Sequence, residues 1–205
     1  MTAVVDLRST METVEKPDVI ISGVEYHHFP IFDEKVKGIT HEEETDITDK
    51  SARIPDLSEL YETVVSEEEF RDNLVKIFGF LINRKSSDGA VLIHCTEGKD
   101  RTGIVTMILL SLLNVPIENI TEDYMYTNTV NRRKSLKYYY FTLIFKRNKK
   151  YAEKIRDVFI AKEEYLKAAV GAIERNWGSA ENFVNKALGI DIESIEHFRE
   201  EFLTD

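Results

Sequence analysis

Hydrophobic and polar positions fall into blocks along this chain, and the period of the pattern changes from block to block. "TAVVDLR" (2–8) and "DVIISGVEY" (18–26) are short β-branched runs that predict two strands, with a turn near Lys16–Asp18. "HHFPIF" continues as extended chain, because Pro30 disfavours helix just before it. Residues 38–53 are polar and acidic without a period and predict a loop. "PDLSELYETVV" opens a helix at Pro55 or Asp56. A second helix is predicted over 66–83, with Phe70, Leu74, Ile77, Phe78 and Leu81 at helical spacing and Ser66 and Glu69 in a capping-box pattern. "SSDG" ends it, and "AVLIHC" follows as a continuous apolar run, as a central strand covered on both faces would be.

From Thr102 to Leu113 the chain is apolar nearly all round, the pattern of a helix buried in a core. "PIENITEDYMYTNTV" opens another helix at Pro116. Three more are expected at Glu163–Trp177, Ser179–Leu188 and Glu193–Phe202, stopped by Gly178 and Gly189. Strands set between helices, with a helical last third, point to an α/β layer fold.

Composition narrows the picture. At 205 residues the chain can bury a full core and is expected to be a single domain over 1–205. One cysteine excludes an internal disulfide scaffold. The N-terminal residues do not form a secretion-signal pattern, and the longest apolar stretch is too short to span a bilayer. The expected compartment is cytoplasmic, with a secreted form left open. A net charge of −10 argues against general nucleic-acid binding. The charge is uneven, however: residues 132–156 hold ten Lys or Arg and one acid, Glu153. Within them, aromatic and aliphatic residues at 138–145 are flanked by cations on both sides. Solvated helix ends explain this as readily as a contact with an anionic partner does.

The candidate chemistry lies in "VLIHCTEGKDRTG", which carries the single cysteine, Cys95. A strand, a six-residue loop and a buried helix together make an anion site. Helix N-terminal amides and the amides of 96–101 can converge on phosphate oxygens, with Gly98 permitting an unusual backbone angle. Arg101 offers a planar fork for two such oxygens. The same positive field would favour the Cys95 thiolate, which can attack phosphorus without a metal. Thr102 could donate to the departing sulfur, and His94 could brace the loop, although a histidine ending a buried strand is more often a core residue. A purely structural cysteine explains neither Arg101 nor the loop. A Walker loop needs Ser or Thr where Asp100 stands, and a sulfur-carrier loop fits the Arg-Thr-Gly ending less well.

Cys, five residues, Arg and then Ser or Thr is the signature of the protein tyrosine and dual-specificity phosphatases. "HCTEGKDRTG" resembles a bacterial branch of that superfamily, the tyrosine phosphatase-like proteins, some of them secreted by intracellular pathogens. "VVDLRS", Glu12 and "KPD" are similar to the branch's early segment, and "EEYLKAAVGAIERNWGSAENFVNKALGI" to its last helices. The resemblance implies a central, mostly parallel sheet flanked by helices, with a helical lid in the interval that contains "NRRKSLKYYYFTLIFKRNKK". It implies a phosphocysteine mechanism in which Cys95 attacks, Arg101 binds phosphoryl oxygens, and Asp100 or Asp6 is the acid. Thr96, Glu97, Gly98, Lys99 and Thr102 would line the substrate, with Glu97 pointing outward. Lys99 would be a second cation for substrates bearing several phosphates, which extends the expected partners from phosphoproteins to phosphoinositides, with peripheral membrane contact. No cofactor or metal is called for. The branch's usual opening, an Asn-Phe-Arg-Asp-Leu-Gly-Gly-like run, is expected to be missing here. A phosphate-binding module that kept the pocket and lost turnover is the alternative, and sulfur transfer or arsenate reduction a more distant one.

Overall fold

The computed structural model describes residues 1–32 and 57–203. Ala3, Val4, Val5 and Asp6 form strand β1 (Ala3–Asp6), and all four are buried. It is the middle of a three-stranded parallel sheet, between β2 (Glu25–His28) and β3 (Val91–His94). Asp6 lies opposite His28 on one side and His94 on the other, so all three strands end at one edge. In open parallel sheets that carboxyl edge is where ligands bind. The fold is α/β, with the sheet flanked by helices, as the resemblance implied.

Three local expectations are corrected. The strand expected over 18–26 forms only at 25–28. Val19 and Ile20 are 83% and 74% exposed, and the chain there is held by the Tyr26 hydroxyl, which donates to the Val19 carbonyl and accepts from the Ile21 amide. A β-branched run is not a strand unless a neighbour takes its amides. Among the described residues β3 is an edge strand with Leu92 half exposed, and β1 is the covered one. Between β1 and β2 stands an unforeseen helix, α1 (Thr10–Glu15). Its cap is a full capping box: the Ser9 side chain accepts from the Glu12 amide, and the Glu12 carboxylate accepts from the Ser9 amide.

Helix α2 (Leu57–Ser66) is described from Leu57 onward, so the expected start at Pro55 or Asp56 and the loop over 38–53 lie outside the described residues. A tight turn, Glu68–Phe70, leads into α3 (Arg71–Ile82). Ser66 ends α2 instead of capping α3, but the forecast apolar stripe is correct: Phe70, Leu74, Ile77, Phe78 and Leu81 are all buried. Helix α4 (Asp100–Leu112) is the buried helix expected from its apolar pattern. Helix α5 (Ile117–Lys146) runs 30 residues, twice the block first seen, and is about 45 Å long at 1.5 Å per residue. Arg147, in left-handed conformation, turns it into α6 (Lys149–Val158), so α5 and α6 form a hairpin.

Helices α7 (Glu163–Trp177), α8 (Ala180–Asn182), continuing as a π-helical stretch Phe183–Ala187, and α9 (Ile192–Phe202) complete the chain. Gly178 and Gly189 stop helices with positive φ, as expected. One core joins α2, α3, α4 and α7, with Tyr61, Phe78, Ile104, Ile108 and Phe183 fully buried. Among the described residues no helix is long and apolar enough to cross a membrane.

Helix α4 approaches α5 closely at Gly103, where an added Cβ would lie 3.0 Å from the Tyr124 ring. Tyr124 is buried and its hydroxyl is hydrogen-bonded to that of Tyr61, so it cannot swing away cheaply. Gly103→Ala is therefore expected to cost about 1 kcal/mol net, overpacking outweighing the helix-propensity gain. A lowered urea midpoint with unchanged slope is the check.

Candidate active site

Cys95 follows β3 directly and is buried, at the carboxyl edge of the sheet. The loop after it reaches α4 in four residues, with Gly98 at φ +61 making the bend that few side chains tolerate. Among the described residues, no carbonyl or side chain takes the amide N–H of residues 96–102. The first helical bond here is from the Gly103 amide to the Lys99 carbonyl, at 2.8 Å. A run of unclaimed amides at the start of a buried helix is a concave positive site for an anion.

Arg101 is held there by a carboxylate. Its Nη1 donates to Glu12 Oε2 at 2.5 Å and its Nη2 to Glu12 Oε1 at 2.8 Å, with a further contact from Nη2 to Thr96 Oγ1 at 3.2 Å. The Thr96 hydroxyl also donates to Glu12. Glu12 and Arg101 are both almost fully buried. Burial pushes the Glu12 carboxyl up, but Arg101, Thr96 and the Ser9 amide outweigh it and lower its pKa to about 2. Burial likewise opposes charge on Arg101, yet Glu12, then Cys95 and Asp100, raise its pKa. Among the described residues nothing claims the Arg101 Nε–H, which leaves an edge of the guanidinium for a ligand.

Asp100 opens α4. Its Oδ1 accepts from the Tyr61 hydroxyl at 2.8 Å, and Tyr61 meets the Tyr124 hydroxyl at 2.8 Å. Burial, then the Asp100 charge and Tyr124, hold the Tyr61 phenol well above its usual pKa, so it stays a donor to Asp100 at neutral pH. Asp6, the other acid considered, is engaged by Arg8 through both carboxylate oxygens. Burial raises the Asp6 pKa, but the Arg8 hydrogen bonds prevail and the net direction is down. Arg8 also bonds Asp18 at 2.8 Å. His94 spans Asp18 (Nε2, 3.0 Å) and the Cys95 carbonyl (Nδ1, 3.2 Å), bracing the strand end. Asp6, Asp18 and His94 bring ligand atoms within 4.8 Å of one another, but the Arg8 guanidinium already sits on both carboxylates, so this cluster does not fit a metal.

The remaining loop residues face the hairpin. Lys99 is 1% exposed, and its ammonium donates to the carbonyls of Val158 (2.6 Å) and Ile160 (3.2 Å), with Asp100 at 3.4 Å. Three donors are thereby spent on the end of α6 and on Asp100. Glu97, expected to point outward, is instead mostly covered: its side chain is 11% exposed and pairs with Lys134 of α5. The Thr102 hydroxyl is buried without a hydrogen-bond partner among the described residues, beside a cavity of about 120 Å³ shared with Gly98, Gly103 and Tyr124. Tyr124 is buried and Asn128 clamps the Ala161 backbone, whereas Tyr126 is exposed.

The structure thus brings Cys95, Thr96, Gly98, Asp100 and Arg101 together and adds Glu12, Tyr61 and Lys134, which the motif does not contain. Glu12 had a local signal, the Ser9-x-x-Glu12 pattern, and Lys134 lay in the basic stretch, whereas Tyr61 had none. A parallel sheet with a cysteine loop closing on an arginine is the architecture of cysteine-dependent phosphate-binding folds. A family profile described as "Tyrosine phosphatase family" matches residues 1–204, and the chain belongs to that family. It is 32% identical over 123 residues to a "Tyrosine-protein phosphatase" of Nostoc commune, covering 58% of this chain and 38% of that protein. It is 31% identical over 103 residues to a "Putative tyrosine-protein phosphatase" of Cupriavidus necator, covering 50% of this chain and 36% of that one. The matched stretches span little more than a third of these relatives.

Proposed function

We propose that this protein is a metal-independent phosphatase of the bacterial type that hydrolyses phosphotyrosine monoesters through a phosphocysteine. The observation that carries the reading is the set of unclaimed amides at 96–102, bounded by buried Cys95 and by Arg101 clamped on Glu12. Family membership supports it.

In this reading the Cys95 sulfur attacks phosphorus while the bond to the leaving oxygen breaks, and Asp100 gives that oxygen its proton. Water then attacks the phosphocysteine, Asp100 accepts the water proton, and the sulfur–phosphorus bond breaks to return the thiolate. The amides and Arg101 stabilise the charge spread over the equatorial oxygens. Asp100 is the better acid of the two considered, because Asp6 is locked in its ion pair with Arg8. Asp100→Asn is expected to slow phosphotyrosine turnover about a hundredfold. A nitro-activated aryl phosphate, whose leaving group needs no proton, should lose far less. Equal losses on the two esters would remove Asp100 from the role of acid.

Dual-specificity and phosphoinositide substrates are a finer reading. The second cation such polyanions need is not Lys99, which is spent on the carbonyls of Val158 and Ile160. Arg132 and Arg133 on α5, both exposed, are the available source, since Lys134 is paired with Glu97. Peripheral membrane contact and a cytoplasmic site of action belong to the same finer reading. The test is phosphate release from a phosphotyrosine peptide and from soluble phosphoinositides side by side. Release from the peptide supports the proposal. No release from either, with inorganic phosphate still bound, overturns it in favour of a binding module.

A further inference from the structure

Helix α5 carries an exposed stripe that neither the fold nor the phosphate loop uses. Tyr126, Val130, Arg133, Lys137, Tyr140, Phe141, Ile144 and Phe145 recur at three- and four-residue steps, so they share one face of the helix. All eight are exposed, Ile144 and Phe145 by 68% each. Beyond Asn131 the helix buries only Ser135 and Thr142, and α6 buries only Ala152, so the hairpin packs largely on itself. Its turn is cationic, with Lys146, Arg147, Lys149 and Lys150 all exposed next to the apolar pair. Residues 132–156, with ten cations and one acid, hold a net +9 in a chain of net −10, so the remainder carries −19.

We infer that the α5–α6 hairpin docks on an anionic lipid bilayer. An exposed cluster of large apolar side chains marks an interaction surface. The distal part of the stripe, from Arg133 to Phe145, is flanked by Lys137, Lys146, Arg147, Lys149 and Lys150. This is the arrangement of helices that lie in a membrane interface: rings and aliphatic groups enter the acyl boundary, and cations meet acidic headgroups. Charge selects this occupant. A second copy that paired the Phe141–Phe145 clusters about a two-fold axis would bring the two cationic tips together. The aliphatic Val130 and Ile144 on the stripe suit hydrocarbon and give a nucleic-acid base nothing to stack on. The strongly acidic remainder of the chain would be repelled by the same bilayer, so attachment through the hairpin also orients the molecule.

The inference does not rest on turnover: vesicle binding decides it, and ester hydrolysis serves only to show that the variants keep their fold. Full-length protein is sedimented with phosphatidylcholine vesicles and with vesicles enriched in phosphatidylserine. Binding is expected on the anionic vesicles only, weakened by high salt. Phe141→Ser with Phe145→Ser, and separately Lys146→Glu with Lys149→Glu, should each lower vesicle affinity about tenfold or more while hydrolysis of a small soluble ester is unchanged. No binding to anionic vesicles, or equal binding to neutral ones, overturns the inference. So does light scattering that shows a dimer abolished by the phenylalanine substitutions without vesicle binding by the wild type. Binding to single-stranded nucleic acid as tight as to vesicles overturns it in the same way.

Discussion

Replacing Cys95 with serine is expected to bring phosphate release to the rate of the uncatalysed ester while inorganic phosphate remains bound. The two halves of this expectation have separate physical sources. Turnover depends on a sulfur that can exist as an anion and attack phosphorus; an alcohol in the same place is a far weaker nucleophile at neutral pH. Binding depends on the amides of 96–102 and on Arg101, none of which the exchange touches. Cys95 is buried, and serine is smaller and nearly isosteric, so the loop should keep its shape. Phosphate release followed together with calorimetric titration of inorganic phosphate separates the outcomes. Retained turnover would remove Cys95 from the reaction, and loss of binding as well would show that the sulfur also holds the loop in place.

The second large effect is expected at Glu12. Glu12→Gln should slow turnover severely and destabilise the protein by about 3 kcal/mol at neutral pH. The figure follows from the carboxyl's displacement from an ordinary 4.5 to about 2, at 1.36 kcal/mol for each unit. Because the folded-state pKa is depressed, this stabilisation is present above pH 4.5 and is lost as pH falls from about 4.5 towards 2. The wild type should therefore lose stability steeply across that interval, and the glutamine variant much less. Denaturant unfolding at a series of pH values reads both curves. If they run parallel, the carboxylate is not what holds Arg101. The catalytic loss has its own cause: glutamine presents one acceptor and one donor to a guanidinium that now meets two oxygens, so Arg101 loses its fixed plane.

What the sequence made legible was local. The Cys95–Arg101 loop is contiguous, and its spacing alone specified strand, bend and helix, down to the positive φ of Gly98. Helix α7 and the glycine stops after it were equally plain, because periodicity and a terminal glycine act within a few residues. The partnerships that complete the site act across the chain. Glu12 and Arg101 are 89 positions apart, and Tyr61 and Asp100 are 39 apart. No pattern in the sequence pairs them, and the Ser9-x-x-Glu12 pattern, too short a signal to predict α1, says nothing of Arg101. Lys99 shows the sharper limit. Its place in the loop suggested a ligand for phosphate, yet a lysine four carbons long reaches whatever lies nearest, and the end of α6 offered carbonyls. At Val19–Ile21 the composition was that of a strand, but among the described residues no strand pairs with it.

Helix α1 gives one carboxylate two duties: Glu12 closes the capping box of a six-residue helix and, with the same two oxygens, holds Arg101. A helix of that length does not stand on its own in water. Fraying of its first turn would release the arginine, and it is expected to precede opening of the core of α3, α4 and α7. The temperature at which the site fails is then expected to follow one of the shortest helices among the described residues. Heat inactivation should run ahead of melting, and cooling should restore the site as quickly as a single turn can re-form.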